Sequence, residues 1–487
     1  MPSESGAVAP TEYDVVVIGG GPAGEVAAQY AVAGSDRTAV IVEHELLGGE
    51  CSYWACMPSK ALLRPGSVLG AGRAMAGVRE SLGGNTLDVP SVLRRRDRFT
   101  SHHDDSGQES WATSVGVDVL RGSGRLAGDR AVVVDTADGT RTLAARLAVV
   151  LATGSSPTVP ATPGLREALP WTSRDATNLA EVPDRVAIIG GGVVACEAAS
   201  WLLDLGAREV TLLVRGPALL ASAEPFARDA VAAALRARGA EVRTGVSAAA
   251  VRRASPRDTG VGRIHGGPVT VSLDDDSDLV VDELLVAAGR RPAIAGLGLE
   301  SVGLDAVSTD DHLTVAGVTG NWLYAVGDVA GRSPLTHMGK YHGRICGDVI
   351  AARARSHSVD GDRYRAGADG SAVPQVVFTS PEVASVGRTE RAARAAGFDV
   401  ETVDLDIAVA GSSLSRDDFT GHAKLVIDRA SDTLLGATFV GTEVAELLHA
   451  ATVAVVGAVP LPALWHAVPA YPTVSEVWLR LLEARRG

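Results

Sequence analysis

The sequence is nearly without lysine. Among its 45 Lys and Arg residues only Lys60, Lys340 and Lys424 are lysines. Keeping a lysine in so arginine-rich a chain points to a need for a compact, titratable ammonium in place of a planar fork. Chance placement is the alternative at any single position. Cysteine is scarce as well. Four in 487 residues exclude a disulfide-stapled scaffold and fit a reducing compartment. Net basic charge is missing: the formal charge is −13 and the pI is near 5.4, which argues against nucleic acid as the main partner, since phosphate binding needs clustered cations. The densest basic run, Arg94-Arg95-Arg96-Asp97-Arg98, reads as a solvated helix face. Long apolar runs are absent too. The longest, Ala451 to Trp465, contains Pro460 and Pro462 and is too short to span a bilayer. Met1 to Thr11 lacks the basic and apolar regions of a signal peptide and is expected to be a loose tail. A cytoplasmic protein with neither membrane nor nucleic-acid partner is the expectation. At 46% hydrophobic and 21% charged residues a large core is affordable, and the length suggests roughly three domains.

What is present centres on Gly48-Gly49-Glu50-Cys51-Ser52-Tyr53-Trp54-Ala55-Cys56-Met57-Pro58-Ser59-Lys60, which holds two of the four cysteines. If this stretch opens a helix, the spacing can bring both sulfurs together near its first turn. The flanking glycines and the Pro-Ser-Lys exit fit a redox pair; two buried structural cysteines are the alternative. Lys60 lies four residues beyond Cys56.

The stretch follows a nucleotide-binding signature. Tyr13 to Ile18 reads as a buried parallel strand. It runs into Gly19-Gly20-Gly21-Pro22-Ala23-Gly24, a G-x-G-x-x-G loop, then a helical run from Glu25 to Ala33, then the strand Thr38 to Val42 ending in Glu43. The glycines permit a tight turn and close approach of a pyrophosphate to a helix N-terminus, and an acid after the second strand holds ribose hydroxyls. A second signature begins with the strand Val186 to Ile189 and the loop Gly190-Gly191-Gly192-Val193-Val194-Ala195, a G-x-G-x-x-A variant. Its next strand, Glu209 to Val214, ends in Arg215, which can pair with a 2′-phosphate and favours NADPH over NADH; a surface arginine is the alternative. One site is thus available for a bound flavin and the other for a nicotinamide nucleotide.

Between the signatures, His102-His103-Asp104-Asp105 sits in a polar stretch expected to be helical and exposed; metal binding is disfavoured because adjacent helical residues point apart. Ala144 to Ala152 is another apolar strand, closing on Thr153-Gly154-Ser155-Ser156-Pro157. From Val281 the chain returns to the first domain through Leu284 to Pro292 and Leu323-Tyr324-Ala325-Val326-Gly327-Asp328, where the aspartate suits sugar hydroxyls. Ala366 to Ala372 reads as a linker. Beyond it, strand-like runs (Gln375 to Phe378, Lys424 to Ile427) alternate with helical ones, as in an α+β interface domain. Cys196 and Cys346 read as structural.

In combination, Cys51-x4-Cys56 with Met57-Pro58-Ser59-Lys60, the two glycine loops and Tyr324 to Asp328 resemble the flavin-dependent pyridine nucleotide-disulfide oxidoreductases, the family of lipoamide dehydrogenase, glutathione reductase and mercuric reductase. The resemblance covers nearly the whole chain. It implies an α/β fold with two Rossmann-like domains, for FAD and NAD(P), and a C-terminal α+β dimerisation domain. The expected segments are 1–165 and 286–365 for FAD, 166–285 for NAD(P) and 372–487 for dimerisation. It implies FAD contacts at Gly19, Gly21, Pro22, Ala23, Gly24, Glu43, Gly49, Lys60, Thr153, Gly154, Gly327 and Asp328. The NAD(P) contacts would be Gly190, Gly192, Ala195, Glu197, Arg215 and Gly289. Cys56 would be the flavin-proximal sulfur and Cys51 the interchange thiol, joined as a redox-active disulfide. Lys60 would sit near flavin N5, partnered by Glu197. The cofactors expected are FAD with NADPH, or NADH, the substrate a small molecule, and the assembly a homodimer.

One departure stands out. The family's C-terminal His-Pro-Thr-x-x-Glu is here Tyr471-Pro472-Thr473-Val474-Ser475-Glu476. Imidazole titrates near ~6.5 and phenol near ~10, which costs about 4–5 kcal/mol in base availability near neutrality. Tyr471 and Glu476 would reach the partner subunit's active site, but the usual proton carrier is missing. The extra C-terminal cysteine pair of mercuric reductases is absent as well: the chain ends Glu483-Ala484-Arg485-Arg486-Gly487. A small disulfide or thiol-reactive substrate is the first expectation. A quinone or oxygen reductase, with electrons leaving the flavin directly, is the second.

Overall fold

A computed structural model describes residues 10–486. Residues 1–9 of the expected tail lie outside it, and Thr11, assigned to that tail, instead opens a strand. The chain divides into two units: residues 1–56, 100–156 and 290–369 in one, and 57–99, 157–289 and 370–487 in the other.

The first unit is built on a seven-stranded sheet. Its parallel part runs Val117–Arg121, Ala39–Glu43, Thr11–Ile18 and Gly139–Leu151, with Leu323–Ala325 paired alongside the last. The apolar halves of Thr11–Ile18 and Gly139–Leu151 are buried, as strands covered on both faces require. Ala131–Thr136 and Ser123–Leu126 extend the sheet as antiparallel strands. The helix Pro22–Val32 packs against the 19-residue helix Thr336–Ala354 through small residues on both. Gly339, Gly343 and Gly347 recur every four residues and so share one helix face. A Cβ at Gly343 would lie 2.6 Å from Ala23 O, and one at Gly347 2.4 Å from Tyr30 Cβ. Only glycine admits so close a crossing, and the crossing sets where the N-terminus of Thr336–Ala354 falls.

The second unit carries a four-stranded parallel sheet in the order Glu241–Thr244, Glu209–Val214, Arg185–Ile189, Glu283–Val286. It also has an antiparallel trio, Ala248–Arg253, Val269–Leu273 and Asp278–Val281. Its C-terminal portion holds a five-stranded antiparallel sheet in the order Pro374–Val377, Glu382–Gly387, Thr433–Gly441, His422–Asp428, Val400–Asp406. The helix Val89–Phe99 carries the arginine run, but Arg96 is not on a solvated face. It is buried and donates to the carbonyls of Thr177, 2.8 Å, and Leu179, 3.1 Å. Those carbonyls end the helix Ser173–Thr177, where unsatisfied acceptors need partners. Among the described residues no helix is long and apolar enough to cross a membrane.

Candidate active site

The first glycine loop has the geometry its sequence requires. Gly19 sits at φ +106°, and a Cβ there would fall 2.4 Å from Ala152 O. A Cβ at Gly21 would meet nothing within 4 Å. Gly21 is also the N-cap of Pro22–Val32 and offers no side chain to that helix's first N–H groups. An open, uncapped helix N-terminus suits a pyrophosphate. Glu43 is buried at the end of its strand, its Oε2 accepting from Gly20 N–H and its Oε1 from Glu45 N–H, both at 2.7 Å. Burial raises its pKa, but His44 and these two N–H groups outweigh burial and hold the carboxyl below its ordinary value. A carboxylate has about four acceptor positions, so capacity for ribose hydroxyls remains. Thr153 and Gly154 follow the strand Gly139–Leu151, and the Thr153 hydroxyl donates to Ala293 O, 2.8 Å. Gly327 opens the turn Gly327–Ala330, which carries Asp328. The Ser155 hydroxyl donates to Asp328 Oδ2 at 2.5 Å, Arg290 Nε donates to Ser155 Oγ at 2.7 Å, and Arg290 Nη2 meets Glu50 Oε2 at 3.3 Å. This chain ties Asp328 to the residue before Cys51. The donors, acceptors and open glycine cradle fit FAD.

The cysteines do not share one helix. Cys51 lies in the short helix Gly49–Tyr53 and Cys56 opens Cys56–Arg73, with Trp54 and Ala55 at the break between them. Gly48 and Gly49 are left-handed, and a Cβ at Gly49 would come 2.8 Å from Gly21 Cα, so the start of the first helix lies close against the nucleotide loop. Both cysteines are thiols. The hydrogen bond to Cys56 is the largest influence on Cys51 and pushes its pKa up, with burial acting the same way and Thr336 and Lys340 opposing. The Thr336 hydroxyl lies 3.2 Å from Cys56 Sγ. Thr336 is the first residue of the helix Thr336–Ala354, whose N-terminal dipole favours negative charge on sulfur. Sequence reasoning missed Thr336, Ser155 and Arg290, since none belongs to a motif by itself.

In the second unit, Gly190 is at φ +136° with Ala287 O 2.3 Å from a would-be Cβ, Gly192 faces open space, and Ala195 is fully buried. Gly192 is the uncapped N-cap of Val193–Asp204, so this loop repeats the first. Arg215 is exposed at the end of Glu209–Val214, and Gly289, at φ +108°, is exposed after Glu283–Val286. Lys60 Nζ pairs with Glu197 Oε2 at 2.8 Å, and the other oxygen of Glu197 accepts from Phe378 N–H at 3.0 Å. Glu197 is 4% exposed and Lys60 36%, so the carboxylate is the fixed partner and the ammonium keeps an open side. The ammonium also lies 4.9 Å from the Phe378 ring. Beside it opens a cavity of about 920 Å³ bordered by Met57, Arg64, Arg95 and Phe378.

Tyr471 is 76% exposed. Glu476 is buried and accepts from Arg480 at 2.7 Å, while its Oε2 has no partner among the described residues. Cys196 and Cys346 are buried, and desolvation pushes Cys196 up to about 12 and Cys346 higher still. Of the His102 to Asp105 run, His102 and Asp104 are exposed. His103 and Asp105 are not: they turn inward against the cysteine stretch, and the segment is a tight turn, not a regular helix. Among the described residues no cluster of three or more His, Cys, Asp or Glu could hold a metal.

Residues 13–343 match the family described as pyridine nucleotide-disulphide oxidoreductase, and residues 373–482 its dimerisation domain. The chain is 32% identical to a dihydrolipoyl dehydrogenase of Synechocystis over 490 residues, covering 96% of this chain and 97% of the relative. It is 29% identical to a mercuric reductase of Staphylococcus aureus over 472 residues, covering 96% and 81%. In fold it is similar to the HOCl-induced flavoprotein disulfide reductase RclA of Escherichia coli, with TM-score 0.80, 24% identity and coverage of 97% and 99%. It is equally similar to LpdA of Mycobacterium tuberculosis, again at TM-score 0.80 and 24% identity. Two nucleotide loops, a contacting cysteine pair and a dimerisation domain in one chain have a single reading: the chain belongs to the pyridine nucleotide-disulphide oxidoreductase family.

Proposed function

We propose that this chain is a FAD-dependent NAD(P)H oxidoreductase that passes electrons to the Cys51–Cys56 pair and from there to a small disulfide or thiol-reactive acceptor. The observation that carries the reading is the cysteine contact itself, Cys51 hydrogen-bonded with Cys56 beside the Thr336 hydroxyl. When bound, FAD supplies the chemistry that links a two-electron hydride donor to a dithiol–disulfide couple. The chain's own residues do the rest. The segments 1–165 and 286–365 hold FAD, with Gly21 and the uncapped N–H groups after it receiving the pyrophosphate and Glu43 and Asp328 the sugar hydroxyls. The segment 166–285 receives the nicotinamide nucleotide at Gly190, Gly192 and Ala195, and Arg215 selects NADPH through its 2′-phosphate. Glu197 holds the Lys60 ammonium, which balances negative charge arising at the redox centre. Cys51 is the thiol that meets substrate, while Thr336 and its helix dipole favour thiolate at Cys56. Segment 372–487 pairs two chains and brings Tyr471 and Glu476 towards the active site of the partner.

Replacing Cys51 with serine tests the assignment. Turnover of a disulfide acceptor falls by at least ~10³-fold, while anaerobic bleaching of the flavin by NADPH proceeds at the rate of the unaltered protein. Undiminished disulfide turnover in that variant would remove the thiol step.

The exposed phenol of Tyr471 favours a second reading, a quinone or oxygen reductase, because a phenolic hydroxyl can donate a hydrogen bond to a carbonyl acceptor. Equal menadione turnover with and without Cys51, and none with any disulfide, selects it.

A further inference from the structure

The redox function leaves one sequence motif unused, His102-His103-Asp104-Asp105, and the structure places it against the cysteine stretch. Ser101, His102 and His103 have φ of 50°, 53° and 61°. Three consecutive non-glycine residues in the left-handed region are strained and persist only where their surroundings enforce them. The enforcing contacts converge on the segment between Leu47 and Cys56. The His103 ring stacks on Trp54 with centroids 4.5 Å apart at 38°, and lies 6.0 Å from the Tyr53 ring. Asp105 Oδ2 accepts the Leu47 N–H at 2.6 Å and is itself held by Arg121 Nη2, also at 2.6 Å. The buried Tyr53 hydroxyl donates to Leu47 O at 2.9 Å and meets the Gln108 side chain at 3.2 Å. Trp54 is the residue at which the helix bearing Cys51 ends, before the helix bearing Cys56 begins.

We propose that the strained turn Thr100–Asp105 is a positioning device for the redox pair: His103 acting through Trp54, and Asp105 through Leu47, set the backbone between Cys51 and Cys56 and thereby how readily the sulfurs close into a disulfide. Disulfide closure demands a narrow range of Cβ separation and dihedral, so a few degrees at the Trp54 junction change the effective concentration of one sulfur for the other. The inference rests on the thiol reading of the function above. Its redox step is an exchange with an external disulfide. Two protein thiols become one S–S bond, the external S–S bond is cleaved, and the two electrons and two protons leave on the two thiols so formed.

The test is anaerobic equilibration of the FAD-bound protein in glutathione and glutathione-disulfide mixtures, with the oxidised fraction of Cys51 and Cys56 read by alkylation and mass spectrometry. His103→Ala shifts the half-oxidation ratio ~10-fold towards the dithiol. His103→Phe, which keeps a ring on Trp54, returns it to within about two-fold of the unaltered protein. Trp54→Ala produces the same shift as His103→Ala, and the double variant shifts no further, because both changes break one contact. If His103→Ala yields no folded flavoprotein, His103→Gln, which lacks the ring, takes its place. Midpoints of the single and double variants within two-fold of the unaltered protein overturn the proposal, whatever happens to thermal stability. An unaltered protein whose Cys51 and Cys56 stay reduced in every mixture overturns the thiol function itself, so the two failures are separable.

Discussion

Glu25 stands in the first turn of the helix that follows the first glycine loop, and its Oε1 is buried without a hydrogen-bond partner among the described residues. Burial lifts this carboxyl to about 7, against the pull of Lys340 and with a push from Glu43. The folded value lies above the ordinary 4.5, so the folded state holds the proton more tightly. The resulting stability is fully present below pH 4.5 and is lost as pH rises through 7. A shift of this size corresponds to about 3 kcal/mol. Glu25→Gln should therefore flatten the pH dependence, making urea-unfolding free energies at pH 5 and pH 8 converge by about that amount. Arg215 is a residue-scale prediction of a different kind. A charge-assisted hydrogen bond contributes about 1.5–3 kcal/mol, so Arg215→Ala should raise KM for NADPH by ~10–100-fold and leave KM for NADH within about two-fold. Steady-state kinetics with both nucleotides decides it. The position of Arg215 was readable in the sequence, because it follows a strand at a fixed offset from a glycine loop. The burial of Glu25 was not, because nothing in the pattern Ala-Gly-Glu-Val-Ala shows which face of that helix meets Thr336–Ala354.

At the scale of elements, the crossing of Pro22–Val32 and Thr336–Ala354 positions the site. It brings the N-terminus of the second helix to the cysteines, and it depends on the glycines at 339, 343 and 347. Gly343→Ala puts a methyl 2.6 Å from a main-chain oxygen that cannot move aside. Overpacking of this kind costs about 1–3 kcal/mol. The variant should melt at lower temperature and release flavin more readily, as followed by thermal denaturation and flavin fluorescence, although alanine is the better helix former. Repetition of glycine at every fourth position is visible in the sequence, but its meaning requires the facing helix. The buried Arg96 makes the same point from the other side. The run Arg94 to Arg98 looks like solvated charge, and only the approach of the Ser173–Thr177 helix end turns one of its members into a capping donor.

At the scale of the molecule, residues 373–482 match a dimerisation domain, which makes a pair of chains the expected assembly. Val453, Val456 and Val468 are 54%, 63% and 84% exposed in the single chain, apolar side chains that a partner chain could cover. Sedimentation should give twice the 50.0 kDa chain mass, and Val453→Glu combined with Val456→Glu should return it to a single chain mass with loss of disulfide reductase activity. The α/β architecture, both nucleotide loops and the cysteine pair were determined by the sequence alone. Their signals are short-range: a strand's apolar run, a turn that only glycine can make, an acid or arginine one strand further on. Tertiary structure decided what those signals leave open. The sulfurs lie on two helices with a break between them, Thr336 comes to Cys56 from 280 positions away, Lys60 meets Glu197 across 137, and His103 leaves the surface for Trp54. Each of these depends on how finished elements pack against one another, and packing selects its contacts by shape and volume, which no local pattern of residue types records.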